Sequence, residues 1–128
     1  MSRIIAAAFT AAALLLSQNA FAQEGDAAAG EAVFKKCSAC HNVADAKHKV
    51  GPSLQGVVGR QPGVVEGFKF SKAMVDYGAG KVWDDATLAA YLENPRGVVK
   101  GTRMAFAGLK DPKEIADVIA YLKAHPAP

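Results

Sequence analysis

The 128-residue sequence predicts an all-α domain whose helices are joined by long loops. Three observations carry that expectation. Apolar residues recur at helical spacing in separated segments, no segment sustains period-two alternation, and glycine collects in the connecting stretches at Gly51, Gly56, Gly59, Gly63 and Gly67. With 51% hydrophobic and 21% charged residues, the chain supports one core and is too short for two.

The first segment is set apart from the fold. A basic start, Met1-Ser2-Arg3, precedes an apolar run from Ile4 to Leu16, then Ser17-Gln18-Asn19 and Ala20-Phe21-Ala22. That order fits a secretory signal peptide over residues 1–22, with a small-x-small cleavage site before Gln23. The apolar run is shorter than the roughly 20 residues a membrane span needs, so the mature chain, residues 23–128, is expected to lack an integral membrane segment and to be exported to the bacterial periplasm. It carries fourteen basic and twelve acidic side chains. A net charge of about +2 gives no footprint for nucleic acid.

The first predicted helix covers Asp26 to Lys36: Asp26 can cap it, and Ala29, Val33 and Phe34 share a face. It runs into Cys37-Ser38-Ala39-Cys40-His41, which holds both cysteines of the chain. Cys-x-x-Cys can be a redox dithiol, but that use wants a preceding buried strand, and none is predicted. A structural zinc ion wants about four ligands; only His48 and His125 remain to join these, and His125 falls in an "AHPAP" tail that reads as frayed. The third reading is the c-type haem attachment pattern, in which two thiols one turn apart add to the haem vinyl groups and the next histidine meets the iron.

A sixth iron ligand is then required, and two methionines of the mature chain compete. Met74, in "FSKAMVDYG", sits at helical spacing and reads as core. Met104, in "KGTRMAFAG", has no helical periodicity and reads as a loop residue, the better candidate. Before that loop, a helix carrying Leu88, Tyr91 and Leu92 is expected to stop at Pro95. After it, Asp111-Pro112-Lys113-Glu114 combines a capping Asp, Pro at the first helical position and Glu three residues past the cap. The final helix carries an apolar stripe of Ile115, Val118, Ile119 and Leu122, for which Gly30 and Phe34 are suitable partners.

Taken together, these segments resemble the class I cytochromes c, with the pattern of bacterial cytochrome c2 and its mitochondrial relatives. "GDAAAGEAVFKKCSACH" resembles the family's first helix and haem motif, and "KHKVGPSLQGVVGRQPG" its proximal loop. "WDDATLAAYLENP" is similar to the central helix, and "GTRMAFAGLKDPKEIADVIAYLK" to the methionine loop and last helix. The resemblance implies a small cytochrome c fold, helices and long loops wrapped around one covalently bound haem c.

Carried over by position, the resemblance makes Cys37 and Cys40 the thioether attachments, His41 the proximal ligand and Met104 the distal one. It places the Pro52 carbonyl at His41, turns the Tyr91 hydroxyl toward the Met104 sulfur, and gives Arg60 and Trp83 to the haem propionates. Lys100 stands where many relatives have proline, and Phe70 where a tyrosine often binds a propionate, so roles in the 68–82 segment, Tyr77 included, are left unassigned.

The implied function is one-electron transfer at high potential by a monomeric soluble carrier that is not an enzyme, since six-coordinate iron leaves no open site. Its expected partners are membrane redox complexes, from a cytochrome bc1-type donor to an oxidase or a photosynthetic reaction centre. Lys35, Lys36, Lys47, Lys49, Arg96, Arg103 and Lys110 are expected to form a basic face that steers docking. A haem-free thiol protein or metal module is the runner-up, and a haem protein with an open sixth site, a gas sensor or peroxidase, is a weaker third.

Overall fold

The computed structural model describes residues 24–128, so the signal-peptide expectation for residues 1–22 lies outside the described residues. In chain order the helices are α1 (Ala27–Phe34), α2 (Lys72–Gly78), α3 (Asp85–Glu93), α4 (Pro95–Val98) and α5 (Pro112–Lys123), with no strand among the described residues.

The helix starts expected at Asp26 and Asp111, and that of α3, which was not read from the sequence, are each made by a side chain that takes up a free N–H of the first turn. Asp26 accepts from the Ala28 amide at 2.9 Å, Asp84 from Thr87 at 2.8 Å, and Asp111 from Lys113 at 2.9 Å, with Pro112 opening α5. Glu114 departs from the expected capping box. Its carboxylate reaches across to Lys36, 3.0 Å away, and ties α5 to the chain just beyond α1. Pro95 ends α3 as expected and also starts the short α4, because proline fits a first helical position and Asn94 caps Gly97 at 3.0 Å.

α1 packs most extensively against α5, and Gly30 is the reason the two backbones can approach. A Cβ at Gly30 would lie 1.9 Å from the Asp117 carbonyl oxygen. Around that crossing the Phe34 and Tyr121 rings pack at a tilt of 47° with centroids 5.3 Å apart. Asp117, buried at 5% exposure, accepts the Asp26 N–H at 2.8 Å and pairs with Lys113 at 2.6 Å. The Asp26 N–H, and then Lys113, hold the Asp117 carboxyl below the usual carboxylate range.

The apolar stripe of α5, from Ile115 to Leu122, joins Val33 and Phe34 of α1 and Leu88 and Tyr91 of α3 in one core with Trp83, Val57, Val99 and Leu109. Lys123 pairs with Asp85 at 2.6 Å and ties the end of α5 to α3. The C-terminal tail is tethered rather than frayed. His125 Nδ1 bonds the Tyr121 carbonyl at 2.8 Å, its ring packs on Tyr121 at 4.5 Å, and its carbonyl accepts the Gly56 N–H at 2.9 Å.

Candidate cofactor site: a cleft lined by an imidazole and a thioether

The chain leaving α1 makes the turn that the Cys-x-x-Cys-His spacing requires. The Cys40 amide bonds the Cys37 carbonyl at 3.1 Å and the His41 amide bonds the same oxygen at 2.9 Å, so both thiols and the imidazole come off one turn. The two cysteines are not bonded to each other. The turn is pinned to the next loop by Gly51 N–H to Cys40 O at 2.8 Å and Leu54 N–H to Asn42 O at 2.7 Å.

His41 is oriented by that loop. Its Nδ1 lies 2.8 Å from the Pro52 carbonyl, which can only accept, so Nδ1 carries the proton and Nε2 the lone pair. Burial pushes the ring below its ordinary basicity, against the Pro52 bond, and Lys49 pushes the same way as burial. The result is a neutral imidazole, the form that binds metal. Gly51 lies flat against it: a Cβ there would come within 2.4 Å of Cε1.

Met104 lies on the irregular stretch between α4 and α5 where the sequence put it, and lines the same cleft as His41. Tyr91 of α3 donates its hydroxyl to the Met104 sulfur at 3.5 Å. Thr102, which sequence reasoning passed over, accepts the Met104 amide at 3.3 Å and sits 3.5 Å from the Tyr91 oxygen. A hydroxyl two residues before a loop methionine was its only sequence signal.

These residues border a cleft of about 350 Å³, lined mainly by apolar side chains including Leu54, Val57, Leu88 and Phe106. Cys37, Cys40, His41, Pro52, Arg60, Trp83, Tyr91 and Met104 all line it. Every residue singled out for the site is therefore brought to one place. Arg60 gives two N–H groups to the carbonyls of Ser53 (3.0 Å) and Gln55 (3.2 Å), which fixes its guanidinium at the wall. Trp83 is buried beside Tyr77 and Tyr91, at ring distances of 5.9 and 5.1 Å. Met74 also lines the cleft while packing on the core.

Two thiols on one turn, a neutral imidazole and a soft thioether, all lining one apolar cleft, form a donor set that suits a large flat iron cofactor. The family model described as Cytochrome c matches residues 27–126. The chain belongs to the cytochrome c family. It is 50% identical over 121 residues to "Cytochrome c2" of Rhodomicrobium vannielii, covering 94% of each chain. It is 47% identical to "Cytochrome c" of Guizotia abyssinica over 83% of this chain and 96% of that one. Among solved structures it superposes on "cytochrome cH from Methylobacterium extorquens" with a TM-score of 0.73 and 48% identity, over 78% of this chain and 99% of the other.

As a cytochrome c, the chain carries one covalent haem c in the small all-α fold of the family and is an electron carrier. All seven basic residues expected at its docking face are exposed, with different surroundings. Lys36 and Arg103 line the cleft, joined by Lys69, which the sequence reading did not include. Lys36 is paired with Glu114, while Lys49 and Lys110 each cap a carbonyl, of Ser38 and Glu93, at 2.5 Å.

Proposed function

We propose that this cytochrome c is a periplasmic, high-potential one-electron shuttle between membrane redox complexes, with its haem held by Cys37 and Cys40 and its iron bound by His41 and Met104. The haem supplies the ferric/ferrous couple. The observation that carries the reading is that His41 and Met104 line the same apolar cleft, each fixed by a hydrogen bond to its own neighbour.

The protein's residues do the rest. Pro52 orients His41, and Tyr91 with Thr102 holds the Met104 side chain, so neither ligand has to move when the charge changes. A thioether ligand and apolar walls disfavour the extra positive charge of the ferric state and raise the potential. Arg60 and Trp83, at the cleft wall, receive the propionates. With His41 and Met104 both committed to the iron, the chain would offer no open site for a substrate, which supports a carrier rather than an enzyme.

No described helix is long and apolar enough to cross a membrane. Residues 1–22 act as the export signal in this reading, delivering the chain to the compartment where haem is attached. Lys35, Lys36, Lys47, Lys49, Arg96, Arg103 and Lys110 steer it toward acidic partner surfaces, with a cytochrome bc1-type donor and an oxidase or photosynthetic reaction centre as acceptor.

The test is spectroscopic. Protein purified from the periplasm is expected to begin at Gln23, to retain its haem through acid-acetone extraction, and to be low-spin in both oxidation states at neutral pH. A colourless folded protein overturns the haem assignment, and a high-spin native spectrum overturns the His41–Met104 pair.

A further inference from the structure

His48 was met above only as a spare histidine, yet the structure joins it to the cofactor site through one peptide unit. The amide between Pro52 and Ser53 is engaged at both ends. Its carbonyl accepts the His41 Nδ1 proton at 2.8 Å, and its N–H donates to His48 Nδ1 at 2.9 Å. We infer that His48 is a positioning residue for the haem iron, one that strengthens the Pro52–His41 hydrogen bond from the far side of that amide.

The protonation pattern follows from the donors. Because the Ser53 N–H points at it, His48 Nδ1 is the lone-pair nitrogen, so Nε2 carries the proton and donates to the Glu66 carbonyl at 2.7 Å. The ring is held from a third side by Phe68, edge-on at 5.5 Å, and Phe68 itself lines the cleft. Ser53 is 1% exposed, which leaves its amide no water to use in place of His48.

An amide that donates at nitrogen becomes a better acceptor at oxygen, since hydrogen bonds in a chain polarise one another. A stronger acceptor at Pro52 draws the proton on His41 Nδ1 outward and makes Nε2 a better donor. Greater ligand basicity favours ferric iron, so His48 lowers the midpoint potential below what Pro52 alone would set. The inference rests on His41 being the proximal ligand.

Two substitutions separate this relay from simple bracing between loops. His48→Gln keeps a distal N–H for Glu66 but has no acceptor where Nδ1 stood. His48→Asn keeps an acceptor near the Nδ1 position and loses the distal donor. The relay requires the midpoint potential of H48Q to rise, its Ser53 amide to exchange faster with solvent, and H48N to stay near the unsubstituted value. A shift in H48N as large as that in H48Q, or no rise in H48Q, overturns it.

A measurement on the unsubstituted protein stands independently of how the variants fold. With uniform ¹⁵N labelling, the ferrous holoprotein is expected to show scalar coupling between the Ser53 amide nitrogen and His48 Nδ1; its absence overturns the relay. The optical spectrum keeps the two ideas apart. A high-spin unsubstituted protein removes the ligand reading, whereas a low-spin protein with an unmoved H48Q potential removes only the relay.

Discussion

The Tyr91 hydroxyl donates to the Met104 sulfur at 3.5 Å, and Thr102 braces both partners, through the Tyr91 oxygen at 3.5 Å and the Met104 amide at 3.3 Å. Burial pushes the Tyr91 phenol above its ordinary range, with Tyr77 pushing the same way and the Thr102 bond opposing. The hydroxyl therefore stays protonated, and able to donate, well past neutral pH.

Removing that donor returns electron density to the sulfur and favours ferric iron. Tyr91→Phe is expected to lower the midpoint potential while the spectrum stays low-spin. A weak bond worth about 0.5–1 kcal/mol corresponds to a fall of roughly 20–40 mV for one electron. A potential that rises or does not change means that the contact does not tune the iron.

Under the proposed ligation, Met104→Ala removes the sixth ligand and leaves a small void beside Tyr91. The expected product is a folded, haem-bearing protein with a high-spin ferric spectrum that binds carbon monoxide when reduced. Met74→Leu, which fills similar volume, is expected to leave the spectrum unchanged, in keeping with its packing role. The opposite assignment follows if M74L becomes high-spin and M104A does not.

At the α1–α5 crossing, Gly30→Ala forces a methyl group into the Asp117 carbonyl. Overpacking against backbone costs about 3 kcal/mol or more, and in a domain of this size that lowers Tm by roughly 10 °C or more. Calorimetry of the holoprotein measures it. An unchanged Tm means that the helices can separate at no cost and that the close approach is not required.

The depressed Asp117 carboxyl gives stability a pH dependence with a definite sign. Its folded pKa lies below the ordinary 3.8, so its contribution is fully present above that value and is lost as the pH falls through the lower, folded one. Asp117→Asn keeps an oxygen for the Asp26 N–H but cannot titrate, so its stability curve should be flatter on the acid side. Equilibrium unfolding between pH 5 and pH 2 makes the comparison, and parallel acid limbs would falsify the role.

Charge around the cleft is unequal. Glu114 partly neutralises Lys36, whereas Arg103 has no acidic partner among the described residues. Arg103→Gln and Lys36→Gln each remove one positive charge beside the cleft, the second leaving Glu114 uncompensated, so both should slow stopped-flow association with an acidic redox partner at low ionic strength, and the slowing should fade at high salt. Equal slowing at both salt concentrations removes the steering argument.

Much of this architecture was legible in the sequence, because its signals are local. Asp111-Pro112 starts a helix by its own chemistry, the spacing of Cys37, Cys40 and His41 is one turn, and the stripe from Ile115 to Leu122 needs a partner that Gly30 can admit. What was not legible depends on distant chain segments meeting. Glu114 has the spacing of a capping residue and instead finds Lys36, 78 positions away. His125 gave no hint of its bond to Gly56, and His48 resembled a surplus metal ligand until Ser53 and Glu66 were placed on either side of its ring.

The close seating of Gly30 on Asp117 also sets an order of events in the life of the chain. α1 and the thiol-bearing turn leave the ribosome, and cross any membrane, some 80 residues ahead of the helix that covers them. During that interval α1 has no helix to pack against. Arrival of the last helix closes a long loop, whose entropic cost grows only slowly with its length. The helix made last thus braces the one made first, and the thiol-bearing turn that follows it.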